Sequence, residues 1–473
     1  MACAAAFRRA VLAVAAIGPL TAGCAAVGPN YERPQMPMPT QYRFVEGTAQ
    51  AQSLADSPWF QVFDDPTLQT LVREALTNNL DVQLAVARVE EARARAGVAK
   101  SFLYPQVGGG VNYGVRQASS TEAQDGTPTN DDTTHQSVAY GFQLSWEIDL
   151  FGRLRRQHEA SLALLLASDQ ARRGVLVTLI GDVASNYFLL RELDLQLDIA
   201  HQTLRLNDET VTYFQNRLDG GVSNRLELDR IQALRAQTAA AIPLLEQQIA
   251  VAENALSLLL GRPPAPITRE RLADTDAPPA IPAGLPASLI ERRPDVVQAE
   301  QILIAANADI GAAKAMFFPT ISLTGFLGGV SGDLTKFLGG DGAVWSVGSG
   351  LFQPIFQAGR LKQNLAAMRA RYDEALAMYR KAALNGYREV ANTLVTIQKL
   401  AEVRVQRQLG VTALVDASDL ARSRYDSGLA SYIEILTADQ DLFQQQLLLA
   451  QVRGAELRAR AELYRTLGGG WQP

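Results

Sequence analysis

Few residues in this chain are placed to do covalent chemistry, and the clearest is a cysteine near its start. Arg8-Arg9, an apolar run from Ala10 to Leu20 and the small residues Thr21-Ala22-Gly23 lead straight into Cys24. A charged start, a short apolar stretch and a small-residue cleavage site make a secretory signal over residues 1–23 rather than a membrane span. Cleavage before Cys24 would make its thiol the acceptor of a lipid, as at a bacterial lipoprotein processing site. Thr21 stands where that pattern prefers leucine, with Leu20 one place too early, so an ordinary secreted protein with an incidental cysteine is the alternative. Ala25 follows in place of an aspartate, which in bacterial lipoproteins implies sorting to the outer membrane. Removing the signal takes Cys3 with it, leaves Cys24 as the one cysteine and excludes an internal disulfide.

Other groups with chemical potential are scattered. His135, His158 and His201 lie far apart in sequence and lack ligand spacing, so no metal centre is expected. Gly108-Gly109-Gly110 and Gly468-Gly469-Gly470 are not followed by the Lys-Ser/Thr of a phosphate loop. No nucleophile and base stand in catalytic spacing, so the chain reads as something other than an enzyme, with no cofactor beyond the lipid. A net charge of -5 provides no basic stripe for nucleic acid. Hydrophobic residues make up 47% of the 473, yet no apolar run of about 18 residues follows the signal, so no membrane-spanning helix is expected.

The elements that would position any function are written twice. A shift of 207 places carries Gly152-Arg153-Leu154 onto Gly359-Arg360-Leu361, Arg217, Asp219 and Gly221 onto Arg424, Asp426 and Gly428, and Leu260-Gly261 onto Leu467-Gly468. A shift of 214 carries Asp81-Val82, Gly97 and Pro105 onto Asp295-Val296, Gly311 and Pro319. Self-similarity of this length means one structural unit used twice, repeat 1 over 64–261 and repeat 2 over 287–468. Residues 262–286, rich in proline, read as the linker between them, and 469–473 as a tail.

Each copy contains a hairpin, at 104–150 and 319–355. Val138, Tyr140, Phe142, Leu144, Trp146, Ile148 and Leu150 alternate with polar or small residues, the period of a strand with one apolar face. Ile321, Leu323 and Leu327, and then Trp345, Val347 and Leu351, repeat this more weakly. Polar loops are expected at 117–135 and 329–343. Strands of about ten residues with this pattern match those of transmembrane barrels, but known barrels need about eight strands or more, so four strands imply oligomerisation. Helices are expected over 64–101, 154–217 and 223–260, and again over 287–316, 360–424 and 430–467. Asp81 and Asp295 would cap the shorter ones, the glycine turns Gly220-Gly221 and Gly428 would end the long ones, and Pro243 should kink its helix or interrupt one hydrogen bond.

Gly28-Pro29-Asn30-Tyr31 with Arg33-Pro34, Arg293-Pro294-Asp295, Gly311-Ala312-Ala313 leading to Phe317-Phe318-Pro319, Pro354-Ile355-Phe356 with Gly359-Arg360, and Leu467-Gly468-Gly469-Gly470-Trp471 carry a family likeness. Taken together, they resemble the TolC-like outer-membrane factors, in particular the lipoprotein branch serving resistance-nodulation-division multidrug efflux systems. The resemblance implies an α+β fold. In it a homotrimer forms a twelve-stranded outer-membrane β-barrel, each chain giving four strands, continued by an α-helical coiled-coil periplasmic barrel. A mixed equatorial domain would take residues 24–63, the linker and the carboxyl terminus.

It further implies partners, a periplasmic adaptor protein and an inner-membrane resistance-nodulation-division pump, and a gate at the periplasmic tip where the glycine turns lie. Mapped by distance from Gly221 and Gly428, Glu227 and Glu434 would form a collar of carboxylates favouring cations. Ile433 matches an apolar gate position. Tyr425 matches a tyrosine that ties neighbouring helices, with Glu227 as its candidate partner. Thr437 stands where related channels often carry an aspartate, which leaves the inner charged ring weaker or displaced toward Asp439. Three functions remain open: a drug-efflux channel, an exit duct of the same fold for metal ions or secreted protein, and a non-channel envelope scaffold.

Overall fold

The computed structural model describes residues 26–36, 65–117, 134–269, 292–331 and 342–469. The signal segment, Cys24, the outer loops proper, most of the linker and Trp471 lie outside these residues. In chain order the elements are α1 (Pro66–Asn78), α2 (Leu80–Ser101), β1 (Gln106–Gln117), β2 (Thr134–Ile148), α3 (Arg153–Asp219), α4 (Arg225–Leu259), α5 (Pro294–Ala315), β3 (Thr320–Ser331), β4 (Ala343–Phe352), α6 (Arg360–Asp426) and α7 (Tyr432–Thr466). The duplication is exact in length where it matters most. Both long helices have 67 residues, about 100 Å, and both return helices have 35.

The chain divides into two compact units, and helices pass through both. The first comprises residues 1–34, 89–167 and 299–378. It holds one antiparallel sheet of order β1-β2-β3-β4. Register places the alternating residues on a single face across all four strands: Val111 faces Tyr140, Phe142 faces Leu327 and Leu327 faces Trp345. Phe142, Leu327, Trp345, Val347 and Leu351 on this face are exposed, whereas Val138 at its end is buried. Aromatic rings cover glycines on neighbouring strands, Phe142 lying over Gly109 and Tyr140 over Gly329, and so restore contact that the missing side chains forgo. The second expected loop is shorter than read, because β3 continues to Ser331. Hydrogen bonding along a ladder favours carrying each strand as far as its partner runs.

Within the same unit the amino-terminal segment is strapped to helices. Arg33 donates through both Nε and Nη2 to the Glu300 carboxylate, at 2.7 and 2.6 Å, and the Tyr31 hydroxyl donates to it at 3.0 Å. Burial pushes the Glu300 carboxyl up, but these bonds outweigh it and hold the group below the ordinary range. Arg156 donates to Asn30, and Asn307 to the Pro29 carbonyl. A Cβ on Gly28 would fall on the backbone of Gly311, so the two glycines permit the close approach. This accounts physically for the Gly-Pro-Asn-Tyr motif and for Gly311.

The second unit comprises residues 35–88, 168–298 and 379–473. Its core joins Leu68, Val72, Ile180, Val183, Tyr187, Leu256 and Leu260 among others, so α1 packs on α3 and α4. Two expectations need correction. The first helical stretch is broken at Asn79, and Asn79 rather than Asp81 caps α2. Its Oδ1 accepts the N–H groups of Asp81 and Val82, while its amide donates to the Leu259 carbonyl at 2.9 Å, two tasks that an aspartate cannot combine. Asp295 likewise lies inside the first turn of α5, behind Pro294, where its carboxylate accepts the Val296 N–H and binds Arg293. As expected of a residue without an N–H, Pro243 interrupts one helical hydrogen bond inside α4, which otherwise runs from Arg225 to Leu259. One helix, α3, does have the length and composition of a membrane span among the described residues, but half of that stretch is buried against the chain itself.

Ionic groups set the register of α3, α6 and α7 in this unit. Glu192 on α3 is buried, pushed up by that burial, and bound by Arg458 and Gln196. It fits only because α7 carries a glycine at 454: a Cβ there would overlap the Glu192 carboxylate. Gly454→Ala is therefore expected to lower the unfolding free energy by about 1–3 kcal/mol, the usual cost of overpacking. A fall in the thermal midpoint, followed by helical circular dichroism, checks this, and an unchanged midpoint would refute it.

Candidate functional site

The glycine turns end α3 and α6 in the same way. Gly221 donates its N–H to the Leu218 carbonyl and Val222 to that of Arg217, both at 2.9 Å; Gly428 donates to Tyr425 at 2.9 Å and Leu429 to Arg424 at 2.8 Å. This pairing of bonds satisfies two orphan carbonyls and requires a left-handed residue, and both glycines have φ of +71°. Gly220 precedes the first as part of the closing turn, its N–H on Asn216. The starts of the return helices differ. Asn224 caps α4 by accepting the Glu227 N–H at 3.0 Å, and the Glu227 carboxylate accepts the Ser223 hydroxyl at 2.6 Å. Ser431, at the matching place before α7, makes no side-chain cap bond.

Behind the turns, apolar packing joins all four helices. Phe214 of α3, Leu228, Ile231 and Leu234 of α4, Ala421 of α6, and Tyr432 and Ile435 of α7 form one buried cluster. The Phe214 ring lies 4.1 Å from that of Tyr432 and 6.0 Å from that of Tyr425. Arg217 stands 5.6 Å from the rings of both Tyr213 and Tyr425 and donates to the Tyr213 hydroxyl, a cation held against two aromatic faces. Burial pushes the phenols of Tyr425 and Tyr432 up, so both stay neutral, and nearby Asp439 adds to the effect on Tyr432. The buried Tyr432 hydroxyl has no hydrogen-bond partner among the described residues.

The structure separates the residues that sequence grouped together. Tyr425 joins the aromatic cluster and Arg217, while the Glu227 carboxylate accepts from Ser223, so within this chain Tyr425 and Glu227 are not bonded to each other. Glu434 is half exposed and lies 3.6 Å from Arg424. Ile433 is exposed beside it, and Thr437 donates to the Ile433 carbonyl. Asp439, the expected alternative to a charge at Thr437, is paired within the chain. It faces between α6 and α7, where it accepts from Ser418 and from Arg422 at 2.9 Å. Sequence reasoning took Arg217 only as a repeat position, Tyr432 only as a difference between the copies and Asp439 only as a displaced charge, and it missed Phe214 and the Ser418 and Arg422 partners of Asp439. A signal existed: the shift of 207 places Phe214 on Ala421, a large residue against a small one in the same cluster.

The arrangement therefore holds two helix pairs together by packing and leaves Glu434 and Ile433 on the surface. The chain as a whole is similar to known proteins. The outer membrane efflux protein family matches residues 71–262 and 285–469. Cation efflux system protein CusC of Escherichia coli is 33% identical over 453 residues, covering 95% of this chain and 96% of that protein. Solvent efflux pump outer membrane protein SrpC of Pseudomonas putida is 35% identical over 463 residues, with coverage of 95% and 96%. Among solved structures, the outer-membrane channel OprN superposes with a TM-score of 0.87 at 31% identity, covering 95% of this chain and all of that one. CusC superposes with a TM-score of 0.85 at 32% identity, over 94% of this chain. The duplicated helices, the four-stranded sheet with its apolar face and these likenesses together establish that the chain belongs to the outer membrane efflux protein family, whose members are outer-membrane channels of efflux systems.

Proposed function

We propose that three copies of this chain close their sheets into one outer-membrane barrel, and that the long helices enclose the passage beneath it. Drugs and other small toxic compounds leave by this duct after an inner-membrane resistance-nodulation-division pump and a periplasmic adaptor deliver them. The reading is supported by the sheet: it carries a largely apolar face with exposed aromatic and aliphatic side chains, while β1 and β4 are its edge strands among the described residues, and lipid does not tolerate such edges until they are paired. A lipid on Cys24 anchors the amino terminus, and the strap from Ala26 to Met36 fastens that end to α3 and α5. The duct itself makes no bond, so cargo follows from the pump; the likeness is as great to a cation system as to a solvent system. Neighbouring genes for pump and adaptor separate drug from metal-ion transport.

Gating belongs at the turns. Ile433 and Glu434 on the first turn of α7, with Thr437 one turn on, form the constriction, Glu227 adds charge from α4, and Tyr425 holds the helices behind them. Purified protein in a planar bilayer should conduct poorly and cation-selectively, and replacing Ile433 and Glu434 together by alanine should raise the conductance. A protein that forms neither trimer nor pore would sink the whole reading. An unchanged conductance in the double variant would remove only those two residues from the gate.

A further inference from the structure

The two return helices begin at equivalent places with unequal support. Ahead of and into α4 the chain reads Ser223-Asn224-Arg225-Leu226-Glu227, and the shift of 207 lays this on Ala430-Ser431-Tyr432-Ile433-Glu434 at the start of α7. In the first copy the three polar positions are engaged. Asn224 accepts the Glu227 N–H at 3.0 Å and the Ser223 hydroxyl reaches the Glu227 carboxylate at 2.6 Å, so cap and first turn close on each other. In the second copy the device is incomplete. Ala430 has no hydroxyl to offer, Ser431 makes no side-chain cap bond, and Glu434 is left 3.6 Å from Arg424, with both side chains about half exposed. A contact of that length between solvated groups holds little.

A second, independent observation lies on the buried side of the same turn. Tyr432, the first residue of α7, is 5% exposed and its ring packs 4.1 Å from that of Phe214, yet its hydroxyl has no partner among the described residues. A buried hydroxyl left unmatched raises the energy of the state that buries it, and phenylalanine at the same place would not. Its equivalent in the first copy, Arg225, projects into solvent and reaches Asp229 at 3.7 Å. The turn that carries Ile433 and Glu434 is thus the one with an open cap and a penalised anchor.

We propose that the first turn of α7 unwinds as the channel opens, carrying Ile433 and Glu434 out of the constriction, while α4 keeps its first turn. Unwinding breaks no side-chain cap bond, because none is made, and it returns the Tyr432 hydroxyl to water. The Tyr432 ring opposes it through its packing on Phe214 and Tyr425. The turn is therefore poised between two states of similar energy. At α4 no such balance exists, since the Asn224 and Ser223 bonds would have to break first. Local opening of this kind is drawn from the least bonded part of a structure, and here the two copies supply the comparison within one chain.

This inference rests on the gate proposed above, and two readouts keep them apart. In the full lipidated chain, Ala430→Ser with Ser431→Asn rebuilds the first copy's device on α7. Hydrogen exchange at Ile435 and Leu436, the first amides bonded along α7, should be faster than at the matching Leu228 and Asp229 of α4, and the rebuilt cap should slow it by about fivefold or more. Tyr432→Phe should slow it as well, by removing the unmatched hydroxyl. Ser431→Ala should leave it as in the parent, because that hydroxyl caps nothing. In a planar bilayer, the rebuilt cap and Tyr432→Phe should each lower the open fraction by a factor similar to the slowing of exchange. Exchange in the parent as slow at Ile435 and Leu436 as at Leu228 and Asp229, no slowing by the rebuilt cap, or faster exchange in Ser431→Ala would overturn the unwinding and leave the gate standing. Slowed exchange with an unchanged open fraction would overturn the part played by this turn in opening, and with it the gate placed there.

Discussion

Replacing Arg293 by alanine is expected to lower the unfolding free energy by about 3–5 kcal/mol, the cost of removing one partner from a buried ionic network. Its side chain is 8% exposed and serves three elements at once. It donates to Asp295 on the first turn of α5, to Glu389 on α6 at 2.8 Å, and to the Thr466 carbonyl at the end of α7 at 2.5 Å. Alanine would leave two carboxylates and a helix-end carbonyl without this donor. Lysine is expected to rescue little, since one ammonium cannot reproduce a fork spread over three partners. The first copy supplies the comparison: Asn79 stands at the equivalent place and makes the equivalent bond, to the Leu259 carbonyl. Arg293→Asn should accordingly recover part of the loss and no more, because Glu389 stays unmatched. Thermal unfolding of the four proteins decides this, and a midpoint for Arg293→Ala within a degree or so of the parent would refute it.

Phe214→Ala is expected to act at the opposite end of the helices and to change function more than overall folding. Phe214 is 1% exposed and touches the helices of both return pairs, with Tyr432 and Tyr425 against its ring. Removing a buried phenylalanine costs about 3–5 kcal/mol through lost burial and the cavity that remains. Here the cost falls on the last turns of α3 and α6, where opening is local and the bulk of the helix pairs stays packed. The expected results are faster proteolysis at the Gly220-Gly221 turn and a higher resting conductance in a planar bilayer. If the conductance of Phe214→Ala equals that of the parent, the aromatic cluster does not hold the tip, and the apolar and acidic residues of α7 would have to do so by themselves.

Much of this architecture could be read from residue order because its determinants are local and periodic. Period-two alternation identified the four strands and their apolar face, and proline-free runs ending in glycine identified α3 and α6 to within two residues of their ends. Duplication then made each half a check on the other. What local pattern could not supply was the partner of any side chain. An acid in a first helical turn looks alike whether it faces water, a neighbouring helix or its own cap. Glu227 proved to be bound to Ser223, Asp439 to Ser418 and Arg422, and Asp81 to have ceded its capping place to Asn79.

The sequence by itself determined the repeat, the element types, the apolar face of the sheet and the family, since each depends on spacing along one chain. Only the tertiary structure decided which charges are matched, that Phe214, Tyr425 and Tyr432 pack together behind the glycine turns, and that Glu192 is buried against Arg458 of α7. Those outcomes depend on burial and on which helix faces which. Two copies nearly identical in pattern differ there through single residues, such as Glu192 against Lys399.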